Sequence, residues 1–161
     1  YYCFSSVSVL QNSKASKVGF ALIPRYYSSK LGLFKATLDR FNWVDDIDIN
    51  DDNIINVYTG WLLDSMDMKD ETTVVKMLIM NSSDPIVGDL VKNIHIKKMR
   101  NTIVKKLKKI RPLQYDLLAS AFIGISQTRK TLKMPTLTSL KKEQYEKILK
   151  HMFKGATTFK S

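Results

Sequence analysis

The chain has 161 residues, 44% of them apolar, which is enough to build one packed domain and excludes a disordered tail. The 26 Lys and Arg outnumber the 15 Asp and Glu, and the surplus lies entirely beyond residue 89: residues 1–89 carry eight basic and twelve acidic side chains, residues 90–161 eighteen and three. So lopsided a field attracts polyanions or anionic lipid and is silent on fold.

Residues 1–27 show no sustained helical period and read as an extended arm. Cys3 is the sole cysteine, so a disulfide within the chain is excluded, while pairing between molecules stays open. Tyr1 in first position implies a processed chain or a fragment, with any signal peptide already removed. PRYYSS (24–29) resembles a mitochondrial processing site but lacks an Arg-rich amphipathic lead.

A first helix is expected from an N-cap at Ser28 or Ser29, since Leu31, Phe34, Leu38 and Phe41 recur at spacings of 3, 4 and 3. The acidic stretch DDIDINDD (45–52) then caps a helix containing INVYTGWLLDSM, because negative charge favours a helix N-terminus. Its sharper reading, a calcium loop, lacks the turn glycine and the distal glutamate such a loop needs. A third helix is predicted over 72–81, with Val74, Val75, Met77, Leu78 and Met80. Ser83-Asp84-Pro85 opens a long fourth helix reaching about Ile110. A fifth runs from Leu113 to about Ser126 and a sixth from about Ser139 to Phe153. No run reaches the 18 or so apolar residues of a spanning helix; LLASAFIGIS (117–126) comes nearest. The expected fold is all-α, a single-domain antiparallel bundle of about five to six helices: an arm over 1–27, the bundle over 28–155 and a tail over 156–161.

The fourth helix carries the charge. Residues 91–112, VKNIHIKKMRNTIVKKLKKIRP, hold nine Lys or Arg and no acid. Ile96, Met99, Ile103, Leu107 and Ile110 make a stripe about 80° wide at 100° per residue. Lys97, Lys98, Arg100, Lys105, Lys106, Lys108, Lys109 and Arg111 cover most of the remaining circumference. An ordinary solvated helix intersperses Glu for i, i+4 pairing, and the absence of any carboxylate between Asp89 and Asp116 points instead to a docking surface. The fifth helix is apolar nearly all round, which reads as the buried centre of a bundle or, in part, as an exposed patch. The sixth sets Leu140, Tyr145, Ile148, Leu149, Met152 and Phe153 beside five lysines, a pattern able to lie in an anionic bilayer interface.

Catalysis finds little support. His95 and His151 are far apart in sequence and sit among lysines. No phosphate loop, nucleophile elbow or metal-ligand spacing occurs, so no catalytic residue, metal or cofactor is expected. Glu143 and Glu146 read as partners for nearby lysines. Asn81-Ser82-Ser83 fits the three-residue glycosylation pattern. Nucleic acid is a weaker candidate partner, because residues 91–112 contain no aromatic, two Arg and no Gln. Backbone-only binding, as in a mitochondrial ribosomal subunit, stays open.

The order of features resembles the abalone sperm lysin family: a tryptophan helix (YTGWLLDSM), a Met/Leu helix, a long basic helix, the break KKIRPLQYDLLASAFIGIS, and RKTLKMPTLTSLKKEQYEKILKHM. The resemblance covers roughly residues 25–153 and rests on helix order and scattered identities. With only five Arg, an acidic segment and an added arm, the chain looks more like the family's divergent fusion-promoting branch than like lysin itself. This implies a secreted helical bundle, stored in the sperm acrosome and released at the egg, that acts without catalysis. The implied partner is the egg plasma membrane, an anionic lipid surface, or else a glycoprotein of the egg coat. The eight basic residues named above are the expected docking set. Tyr1, Tyr2, Phe4, Leu117, Leu118, Phe122 and Ile123 are the candidates for apolar insertion.

Overall fold

The computed structural model describes residues 4, 5, 8, 27–39, 45–67 and 74–160. Among them every regular element is helical, as expected. The chain divides into two compact units, residues 1–47 with 72–102 and residues 48–71 with 103–161, where a single bundle was anticipated.

In the first unit, α1 (Lys30–Asp39) starts where the sequence places it: Ser29 Oγ accepts the Gly32 N–H at 3.0 Å, satisfying an amide the helix leaves free. Phe34 and Leu38 point inward, while Phe41 lies outside the described residues. Helix α2 (Ile54–Asp67) belongs to the other unit, and α3 (Val74–Asn81) returns to this one, burying Met77 and Leu78. Asp84 caps the turn that follows, its Oδ1 accepting the N–H groups of Ile86 and Val87 at 2.9 and 3.2 Å. Helix α4 (Gly88–Asn93) opens where the chain passes close to itself: a Cβ on Gly88 would stand 2.8 Å from the Ser82 carbonyl oxygen. Val87, Val91 and Ile94 join Phe34, Leu38, Met77 and Leu78 in one core.

Phe4 belongs to that core too. Its ring meets Phe34 edge-on at 5.3 Å, and the Lys30 ammonium sits 4.4 Å from its centre. Its backbone N–H donates to Asn81 Oδ1, and the Ser5 N–H and hydroxyl both donate to Asp84. Where an extended arm was expected, this stretch is therefore tied down. The remainder of 1–27 lies almost wholly outside the described residues. The same bonds dispose of the glycosylation pattern: Asn81 is 1% exposed, and its Nδ2 donates to the Met77 carbonyl at 2.7 Å.

In the second unit, α2, α6 (Pro112–Lys130) and α8 (Lys142–Thr158) pack together, the one-turn α7 (Pro135–Thr138) coming between the last two in the chain. The acidic stretch caps α2 by an exchange between two asparagines. Asn50 Oδ1 accepts the N–H groups of Asp52 and Asn53, and Asn53 Oδ1 accepts that of Asn50. Helices α6 and α8 run antiparallel, since the Arg129 guanidinium lies 4.5 Å over the Tyr145 ring at one end and Gln114 Nε2 donates to the Phe159 carbonyl at the other. Each begins with a Gln at its third position accepting the cap residue's N–H, Gln114 from Arg111 and Gln144 from Lys141. Tyr145, Leu149, Phe153 and Thr157 form the buried stripe of α8, which continues through Thr158, past the expected end at about Phe153. Tyr58 is ringed by Trp61, Tyr115, Phe122 and Phe153, and its hydroxyl meets that of Tyr115 at 3.0 Å. Each large side chain buried here contributes roughly 1.5–3 kcal/mol of transfer free energy.

Candidate functional site

The basic segment departs from the expected single helix in two ways. Between α4 and α5 (Asn101–Lys106) lies a π-helical stretch, Ile94–Arg100, whose turns each take in one more residue than an α-turn. The inward positions therefore skip from Ile94 to Met99, five residues on, before Ile103 and Leu107. Ile96, expected in the packed stripe, is 50% exposed. The second departure is at the C-terminal end, where helix stops at Lys106 instead of about Ile110.

Asp51 causes that stop. Its carboxylate accepts the N–H groups of Lys108, Lys109 and Ile110 at 2.8, 2.9 and 2.9 Å, so these amides turn away from the helix ladder toward a charged acceptor. Burial pushes the Asp51 carboxyl up, but the three amides and the charge of Lys109 outweigh it and hold the group below its ordinary value. The short connection then enters α6 through Pro112, whose missing N–H costs nothing in a first turn.

This geometry decides where the charges go. Lys97, Lys98 and Arg100 lie in the first unit, and Lys105, Lys106, Lys108, Lys109 and Arg111 in the second. Asp52 Oδ1 stands 3.7 Å from the Lys109 ammonium, both largely exposed, a pairing worth well under about 1 kcal/mol. Arg100 reaches Asn101 Oδ1 at 3.3 Å. Lys97, Lys105, Lys108 and Arg111 are exposed, and among the described residues no carboxylate forms an ion pair with them. The acidic stretch shapes the turn through the backbone of 108–110, and its side-chain pairing there is that of Asp52 with Lys109.

The apolar candidates separate sharply. Leu118 is fully buried and Phe4 sits in the other core, so neither reaches the surface. Phe122 and Ile123 are partly buried, the Phe122 ring lying against Tyr58 and Trp61. Leu117 is 36% exposed. Tyr1 and Tyr2 lie outside the described residues, as does the side chain of His95.

What sequence reasoning missed stands beside Leu117. Leu113, one turn earlier on α6, is 50% exposed, and Phe159, placed in the expected tail, is 47% exposed. The two line one shallow cleft of about 230 Å³ with Arg111, Pro112 and Gln114. A guanidinium thus shares a cleft with two exposed apolar side chains, with Lys108 and Lys109 just upstream. The Gln114–Phe159 hydrogen bond holds the two sides together. Helix α6 is consequently not buried all round: it hides Tyr115, Leu118 and Ile125 and turns Leu113 and Leu117 outward.

The other sequence motifs resolve as local structure. The 45–52 stretch is occupied with capping and with Asp51's amides, and among the described residues no cluster of His, Cys, Asp and Glu suits a metal ion. Glu146 pairs with Lys150 at 2.7 Å, as its spacing foretold. Among the described residues no helix is long and apolar enough to cross a membrane.

No protein-family model, curated protein or solved structure matches this chain. The likeness to the lysin family rests on its sequence features alone.

Proposed function

We propose that the chain is a non-enzymatic protein that binds anionic membranes peripherally and promotes their fusion, the setting being the one the lysin resemblance implies: release from the sperm acrosome onto the egg plasma membrane. The observation that carries this reading is the cleft where Arg111 meets exposed Leu113 and Phe159, directly after exposed Lys108 and Lys109. Each basic side chain near an anionic leaflet adds about 1 kcal/mol before screening. Apolar groups that then leave water add roughly 25 cal/mol per Å². Cations without adjoining apolar side chains would favour a polyanion in general; the conjunction favours lipid.

The test is content mixing between vesicles of phosphatidylserine and phosphatidylcholine. Mixing that requires the anionic lipid supports the reading. Binding without mixing would remove the fusion role, and equal binding to pure phosphatidylcholine would remove the electrostatic one.

A further inference from the structure

From Leu117 to Thr128 the outward side of α6 carries no charge; the helix's one acid, Asp116, is partly buried and stands one turn before Ser120. Leu113, Leu117, Ser120, Gly124, Thr128 and Thr131 follow one another at spacings of 4, 3, 4, 4 and 3, on a side of the helix roughly 100–120° round from buried Leu118 and Ile125. All but Thr128, which is partly exposed, are exposed to solvent. At 1.5 Å per residue they form a strip roughly 27 Å long. No charged residue occurs anywhere between Asp116 and Arg129, which is unusual for a solvated helix face, where charges normally gather.

The hydroxyls on this strip are already served. Ser120 Oγ donates to the Asp116 carbonyl at 2.8 Å, Thr128 Oγ1 to the Gly124 carbonyl at 2.8 Å, and Thr131 Oγ1 to Gln127 Oε1 at 2.8 Å. A polar group that brings its own hydrogen bond loses much less on leaving water than one that does not. Both ends of the strip are apolar and basic. At the start stand Leu113 and Phe159 with Arg111. Past the end, Leu132 and Met134 are 69% and 48% exposed around Lys133, and exposed Lys141 opens α8 close by. That terminal turn is pinned, the N–H of Leu132 bonding Gln127 O at 2.9 Å and that of Met134 bonding Thr128 O at 3.0 Å.

We propose that α6 lies flat on one anionic leaflet, with the outward strip that is uncharged from Leu117 onward against the lipid, and with Leu113 and Phe159 at one end and Leu132 and Met134 at the other as its anchors. The inference rests on the membrane reading above and gives it an orientation. A second copy of the chain is a poorer occupant, because two molecules of net charge +11 would have to bring their basic rims together.

The experiment uses the full chain with Cys3→Ser and single cysteines carrying a bimane label at Ser120, Gly124 or His151. His151 is exposed on the side of α8 away from its buried stripe. On vesicles of phosphatidylserine and phosphatidylcholine containing quencher-labelled acyl chains, the labels at 120 and 124 are expected to lose at least half their emission, and the label at 151 little. Bound protein with unquenched labels at 120 and 124 overturns the inference and leaves the membrane reading intact; shielding from water without lipid quenching marks a second copy and overturns it as well. Failure of the wild-type chain to bind these vesicles overturns both. As a second measurement, Ser120→Glu with Gly124→Glu should weaken vesicle binding at least tenfold more than the equally charged pair Lys147→Gln with His151→Glu, and equal losses would contradict the flat orientation.

Discussion

Asp51 Oδ1 accepts the backbone N–H of Lys109 at 2.9 Å, so an acid from the acidic stretch engages a lysine through its amide and leaves its ammonium outward. With Lys108 and Ile110 bonded to the same carboxylate, the turn into α6 hangs on one side chain. Asp51→Ala removes the acceptor from three amides at once. The expected loss is about 1 kcal/mol after solvent screening, read as a lower urea midpoint with unchanged slope. Amide exchange at 108–110 should rise more than elsewhere in the chain.

Acid should undo the same contacts. The Asp51 carboxyl sits below its ordinary value despite the opposing effect of burial, and the Ser5 hydroxyl, with the Ile86 and Val87 amides, holds that of Asp84 low too. A carboxyl whose folded pKa is depressed gives stability that is complete above its unfolded value, about 4, and is lost as pH falls through the folded value. Stability should therefore be flat from pH 7 to about 5 and decline below 4. Protection of the Ser5 amide, taken relative to the intrinsic exchange rate at each pH, should drop over the same fall, and Asp84→Asn should make that protection less dependent on pH.

Leu117 and Leu118 are neighbours in sequence with opposite fates, one 36% exposed and the other fully buried. Leu118→Ala should cost about 2–5 kcal/mol through lost burial and a residual cavity, while Leu117→Ala should change the melting temperature little. Reduced vesicle binding in Leu117→Ala, with its stability kept, is the expected counterpart.

The contrast between those two leucines shows what could be read in advance. Helical class, the Ser29 cap, the Asp84 cap and the Glu146–Lys150 pair are local matters of spacing and side-chain chemistry, and they were legible. The exposure of Ile96 was not, because a π-turn shifts the inward register by a residue and no pattern of apolar residues announces it. Nor was the halt at Lys106, which depends on Asp51, more than fifty residues earlier. In α6 an apolar composition concealed a division into two faces. The eight predicted cations form a run without interleaved acid in the sequence, but their distribution between two units depends on which helices pack with which. Phe159 escaped because α8 runs further than its apolar period, held at its end by Gln114.

Gly124 stands inside α6 with nothing within 4 Å of where a Cβ would be. Gly124→Ala should stabilise the chain by about 1 kcal/mol, the difference in helix propensity, seen as a higher melting temperature. Since alanine keeps the outward face uncharged, vesicle binding should be retained.

The most direct measurement is sedimentation with vesicles of phosphatidylserine and phosphatidylcholine, comparing the wild-type chain with one in which Lys105, Lys106, Lys108 and Lys109 are changed to Gln. At least a tenfold loss of affinity is expected at low ionic strength if these lysines dock the protein, narrowing as added salt screens the wild-type charges. Equal binding by the two proteins across that salt range would contradict that role.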